Sequence, residues 1–178
     1  METEGAFSFK PYSAARGLDQ RMALPGFIRA VARLEAPISL SLLYQDAASY
    51  LGEPRVDADT RTRVLRVFEE DASKEFSVAH DFVYAAGTTI DRIAPRKKGR
   101  RTFSDIAPLE LGAGVLVVLK ELYPESGART EELYSSVMKA FGFNNVTNLA
   151  RLRIASANST LKKLGLIKTY RGRLYLKE

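Results

Sequence analysis

The chain has 178 residues, 46% apolar and 27% charged, with net charge +6, the make-up of a folded protein with one ordinary domain or two small ones. It has no cysteine and a single histidine, His80, so disulfides, thiolate catalysis and cysteine or multi-histidine metal sites are excluded, and a Ser-His-Asp triad lacks support. No apolar run approaches the roughly 20 residues that cross a bilayer, and the start METEGAFSFKPYS lacks the pattern of a secretory signal; the expectation is a cytoplasmic protein with neither metal nor cofactor.

Residues 1–22 read as an N-terminal arm. Residues 23–87 read as a first domain with three helices, Phe27–Leu34, Ser39–Leu51 and Asp59–Ser73. A hairpin around Phe76–Ala85 follows, with Ala79, His80, Asp81 and Phe82 at its turn. Asp57 and Asp59 sit where a helix begins, which fits a cap and a first-turn acid better than a metal pair. Residues 88–108 read as a basic linker, in which Arg96, Lys97, Lys98, Arg100 and Arg101 could track phosphates. A solubilising linker or a nuclear-localisation match would use the same residues.

Residues 109–178 read as a second domain. Its first helix is the apolar run Val115–Tyr123, stopped by Pro124, with Leu111-Gly112-Ala113-Gly114 before it as a packing element. The second helix starts near Thr130 and ends at Gly142. The third is capped by Thr147 or Asn148 and runs to Lys163. LIKTY-RG-RLYLK then gives two strands joined at Arg171-Gly172.

The two domains repeat one another. LYQDAASYLG from Leu43 aligns with LYSSVMKAFG from Leu133 at an offset of 90, and the same offset pairs Val56 with Val146, Arg61 with Arg151, Arg63 with Arg153 and Val64 with Ile154. Three helices followed by a hairpin, twice, make a mainly α protein with small β-hairpins (α+β). The expected architecture is two tandem winged-helix domains, a form of the helix-turn-helix.

Charge separates the copies. Residues 1–87 hold 10 Lys/Arg and 13 Asp/Glu, residues 88–108 hold 6 and 2, and residues 109–178 hold 11 and 6. On a helical wheel of the last helix, Ala150, Ile154, Ala157, Leu161 and Leu164 face the core, and Arg151, Ala155, Asn158, Ser159 and Lys162 face away. Arg and Asn there could read base edges, while Lys and Ser hold phosphate. In the hairpin, Ile167, Thr169, Leu174 and Leu176 share the core side. Lys168, Tyr170, Arg173, Tyr175 and Lys177 share the other, with Arg171 at the tip, a basic and aromatic face suited to a nucleic-acid backbone. An ordinary solvated face and an aggregation-blocking edge strand are the alternatives. The first copy's third helix turns Val64, Leu65, Phe68 and Ala72 inward and Asp59, Arg63, Arg66, Glu70 and Ser73 outward. With Glu69-Glu70-Asp71 beside them, that copy suits a protein partner or a second copy of the chain better than phosphate. No catalytic constellation and no Gly-rich nucleotide cradle is present.

KPYSAARG, IRAVARLEAPIS, HDFVYAAG, RKKGRRTFSDIAPLELGAGVLVVLKEL and EELYSSVMKAFGFNNVTNLARLRI together resemble the C-terminal uncharacterised domain of large bacterial superfamily-one helicase proteins, which often also carry a Vsr-like endonuclease domain. The resemblance spans roughly residues 10 to 170, and departs at Glu35-Ala36-Pro37, where such regions have Glu-Gly-Pro. It implies an accessory module attached to, or encoded separately from, a DNA-processing enzyme, with any helicase or nuclease chemistry outside these residues. Taken with the charge split, the expectation is a non-enzymatic module that binds double-stranded DNA and whose first domain meets a helicase or nuclease protein or a second copy of the chain. A protein-interaction module and a stand-alone transcription regulator are the other readings.

Overall fold

The structure, a computed structural model, describes residues 8–15, 17–19, 21–71 and 74–177. The first seven positions of the expected arm, with Arg16 and Gln20, and the expected helix positions Ala72 and Ser73, lie outside the described residues. The protein is of mixed α+β composition, with six α-helices and two three-stranded antiparallel sheets among those residues.

The chain forms two compact units, and neither is a single stretch of sequence. The N-terminal unit comprises Ser13–Thr88 and Gly99–Ala107; the C-terminal unit comprises Met1–Tyr12, Thr89–Lys98 and Pro108–Glu178. The segment expected to be a free linker, 88–108, is therefore divided between the two.

In the N-terminal unit the elements are α1 (Leu24–Glu35), β1 (Ile38–Ser39), α2 (Leu40–Leu51), α3 (Ala58–Glu69), β2 (Phe76–Ala79) and β3 (Phe82–Ala85). A short 3-10 turn, Phe103–Asp105, completes it. Each boundary has a local cause. Ser39 accepts a hydrogen bond from the Leu42 N–H at 3.2 Å and so caps α2, whose other end closes on Gly52 in the left-handed region (φ 72°). Asp57 caps α3 by accepting the Thr60 N–H at 2.7 Å. That hydrogen bond holds its carboxyl below the usual carboxylate range. Ile28, Val31, Ile38, Leu43, Val64 and Val83 make the core. Val67 is buried as well, a core position the helical wheel had not singled out.

The C-terminal unit repeats that order with α4 (Pro108–Leu122), β4 (Ala128–Arg129), α5 (Thr130–Phe141), α6 (Asn148–Lys163), β5 (Ile167–Tyr170) and β6 (Arg173–Leu176). The offset of 90 holds to the residue: β1 with β4, α2 with α5, the αL glycines Gly52 with Gly142, and the caps Asp57 with Thr147. A side-chain contact repeats too. The Arg61 guanidinium lies 5.9 Å from the Tyr44 ring centroid, and Arg151 lies 5.9 Å from that of Tyr134. The sheets have matching orders, β1-β3-β2 and β4-β6-β5. Both hairpins turn on two residues with positive φ, His80 (51°) with Asp81 (63°) and Arg171 (47°) with Gly172 (75°). Positive φ at both central residues belongs to the turn type whose twist matches paired strands.

One helix begins earlier than its composition indicates. α4 starts at Pro108, not Val115, and carries Gly112 and Gly114 inside it. A Cβ on Gly114 would stand 2.6 Å from the Phe141 ring, and one on Gly112 would stand 2.7 Å from Ile90 Cδ1. The two glycines weaken the helix locally, but they admit side chains that fill the core.

Candidate nucleic-acid interface

The basic residues of 96–101 do not form one strip. Arg96, with its side chain 12% exposed, lies against the fully buried Glu110 carboxylate, with Nε 3.1 Å from Oε1 and a terminal nitrogen 2.9 Å from Oε2. Its guanidinium also covers the Tyr12 ring at 5.2 Å. Arg100 reaches Asp46 at 2.6 Å and Glu35 at 3.0 Å. The hydrogen bond to Asp46 raises the Arg100 guanidinium further above its ordinary value; burial opposes this, and Glu35 adds to it. Arg101 is only 3% exposed. Arg96 and Arg100 are structural cations, because a buried carboxylate requires a charged and hydrogen-bonded partner. Lys97 and Lys98 are exposed, and the Lys98 ammonium sits 5.4 Å from the Phe143 ring centroid.

On α6 the solvent-facing arc is rotated from the expected one by roughly 60°, at 3.6 residues per turn. Asn158, expected to point outward, is 6% exposed and lies with Ala150, Ile154 and Leu161 on the buried side. Arg151 is hydrogen-bonded to Glu131 and covers Tyr134, so its guanidinium is engaged within the unit. Ser159 and Lys162 are exposed as expected. Ser156 and Lys163 join them, as do Leu149 and Leu152, which the sequence reading had not chosen. Leu164, expected in the core, is exposed. The missing signal was available: Lys163 is nine residues from Ile154, half a turn round the wheel from the deepest core residue. Replacing Asn158 with Ala is expected to change duplex affinity less than about twofold, since a side chain that touches no base loses none of the roughly 1–3 kcal/mol of a base contact. Fluorescence anisotropy on wild type and variant checks it.

The hairpin carries Lys168, Tyr170 and Arg171 exposed, with the Arg171 guanidinium 5.2 Å from the Tyr170 ring centroid. Arg173 is used differently. It donates to the Gly127 carbonyl at 2.9 Å and the Ser126 carbonyl at 3.4 Å, tying β6 to the loop before β4. Tyr175 packs so closely over Gly127 that a Cβ there would lie 2.5 Å from the ring. Thr169, expected on the core side, is exposed on the edge strand β5.

The two units differ most in charge. Residues 133–177 contain nine Lys/Arg and no Asp or Glu, whereas the matching residues 43–87 contain five Lys/Arg and nine Asp/Glu. In the N-terminal unit the cations meet carboxylates: Arg63 with Asp59 at 3.7 Å, Arg66 with Glu70 at 3.8 Å, Arg33 with Glu75 at 2.6 Å. Lys162, Lys163 and Lys168 have no such neighbour within their own stretch of chain. One architecture thus presents opposite fields on its two copies.

Among the described residues no group of His, Asp or Glu is placed to hold a metal ion, and no helix is long and apolar enough to cross a membrane. Compared with protein-family models, curated proteins and solved structures, the chain matches none.

Proposed function

We propose that the chain is a tandem winged-helix DNA-binding module, acting without catalysis of its own, whose C-terminal unit holds a duplex and whose N-terminal unit meets protein. The order helix, strand, helix, helix, hairpin, repeated at an offset of 90, supports the winged-helix reading. The observation that carries the functional one is the carboxylate-free stretch 133–177 on one of two otherwise matching units. Five of its cations, Lys162, Lys163, Lys168, Arg171 and Lys177, are exposed on α6 and the hairpin. DNA affinity is dominated by such contacts with phosphate. A cytoplasmic location rests on that partner together with the resemblance to bacterial proteins.

The test is fluorescence anisotropy with a labelled duplex across a salt series. Five phosphate contacts would give a log-log slope of affinity against salt near −4.5, at about −0.9 per contact. Absence of binding to duplex and to single strands at low salt would overturn the reading. A role beside a helicase or nuclease rests on the sequence resemblance alone. Sequence-indifferent binding favours that role, and occupancy of one discrete operator favours a transcription regulator.

A second reading, a protein-interaction module throughout, is favoured by the acidic N-terminal unit, whose α3 outer face is a chain of ion pairs. Light scattering behind size-exclusion chromatography separates the two. A stable dimer indifferent to DNA would support the second reading.

A further inference from the structure

In a helix-turn-helix the residues near the start of the second helix reach the base edges. In the first two turns of α6, Ala150 and Ile154 are buried, Arg151 is held by Glu131 and Tyr134, and Arg153 and Ala155 are half-buried. The side chains left facing outward are Asn148, Leu149 and Leu152. Leu152 is 70% exposed and Leu149 47% exposed. They stand one turn apart on a face whose remaining exposed members are Ser156, Ser159, Thr160, Lys162 and Lys163. Single exposed leucines are unremarkable on a protein surface, but a neighbouring pair at the reading end of a basic helix has a specific chemical match. The aliphatic group offered by the major groove is the thymine 5-methyl, and the side-chain amide of an Asn pairs with adenine N6 and N7.

Resting on the DNA-binding reading above, we propose that α6 selects A·T base pairs in the major groove through contact of Leu149 and Leu152 with thymine 5-methyl groups. Charge complementarity favours DNA over a second protein surface as the occupant, because the leucines are continuous with Lys162 and Lys163 on α6, in a stretch of chain with no carboxylate. The residues that the sequence offers for base reading by hydrogen bonds, Arg151 and Asn158, are engaged or buried. Asn148 is left beside the two leucines as the amide able to meet adenine, and the leucines distinguish bases by their 5-substituent.

The experiment compares four duplexes of equal length: an A·T-rich duplex, the same duplex with every thymine replaced by uracil, a G·C duplex, and the G·C duplex with 5-methylcytosine. Uracil removes the methyl and keeps base pairing and phosphates. Wild type is expected to bind the uracil duplex about fourfold more weakly per contacted methyl and to bind the methylated G·C duplex more tightly than the plain one. Leu152→Ala and Leu149→Ala, both at exposed positions, should each shrink the thymine-to-uracil ratio towards unity and leave the salt slope unchanged. Equal wild-type affinity for thymine and uracil duplexes, with the slope intact, overturns the methyl readout and spares the DNA-binding reading. Failure to bind any duplex overturns that reading itself. A wild-type dimer that Leu152→Ala dissociates without affecting DNA affinity assigns the leucines to self-association and also overturns the proposal.

Discussion

Glu110→Ala is expected to cost the C-terminal unit about 3–5 kcal/mol, the range for removing one member of a buried ion pair. Glu110 is fully buried, and Arg96 has few contacts with water. Without the carboxylate the guanidinium keeps its burial and loses its charged partner, and the Arg96 N–H that Glu110 accepts at 3.0 Å loses its acceptor. Against a total stability of roughly 5–15 kcal/mol for a typical domain, that loss leaves the unit near or beyond its unfolding threshold. Denaturant titration followed by two probes, one reporting each unit, checks it, because a chain with two units need not unfold in one transition. The double change Glu110→Leu with Arg96→Met is expected to recover most of the loss, since apolar replacement of both partners avoids the unpaired charge. A loss below about 1 kcal/mol would place the pair in the class of solvated surface bridges.

Charge reversal on the C-terminal unit is expected to have the largest effect on binding. Lys163→Glu, Lys168→Glu and Arg171→Glu together should weaken every duplex more than about a hundredfold at low salt and flatten the salt slope by about three units, near one for each phosphate contact removed. All three side chains are exposed, so the fold should survive, and circular dichroism on the variant confirms that it has. Arg63→Glu with Arg66→Glu should change affinity less than about threefold, because that helix face already carries Asp59 and Glu70 as ion-pair partners. The opposite result, with the N-terminal variant failing and the C-terminal one binding normally, assigns the DNA surface to the other unit.

Local chemistry made much of the fold legible. Gly52 and Gly142 end helices because they accept positive φ, Asp57 and Thr147 begin them by accepting an N–H, and Arg171-Gly172 turns the last hairpin. Each of these acts within a few residues of itself, so a single sequence displays it. The departures come from contacts made at long range. Gly112 and Gly114 read as a packing element ahead of a helix, and their place inside α4 is explained only by Ile90, Phe9 and Phe141, which need the space. The arginines of 96–101 read as a solvated basic run because their partners are far away in sequence: Asp46 and Glu35 lie 54 and 65 residues from Arg100. On α6 the period was right and Ala150, Ile154 and Leu161 lie inside as expected, but the edges of the buried arc were misplaced at Asn158 and Leu164. Asn158 was placed outside by its polarity, whereas the axis through Ile154 and Leu161 carries it inside.

The boundaries of the two units have a consequence for how the chain can be divided. Residues 8–12 and 89–98 meet in the C-terminal unit, where Lys10 pairs with Arg96 in a parallel bridge, and residues 13–88 are looped out between them. The N-terminal unit in turn draws Arg100 and Asp105 from beyond that bridge, for Glu35, Asp46 and Ser39. Each unit is thus buttoned with a piece of chain that follows a segment of the other. A gene cut at residue 88 yields a first fragment with two acidic groups stripped of their arginine and a second lacking Phe9, which packs on Phe141. On the ribosome the first unit to emerge cannot close until residue 105 has left the exit tunnel, and residues 8–12 must be held in waiting longer still. Fragments for separate study are therefore better made by circular permutation, or by replacing the looped-out unit with a short bridge, than by cutting the chain where the repeat appears to divide.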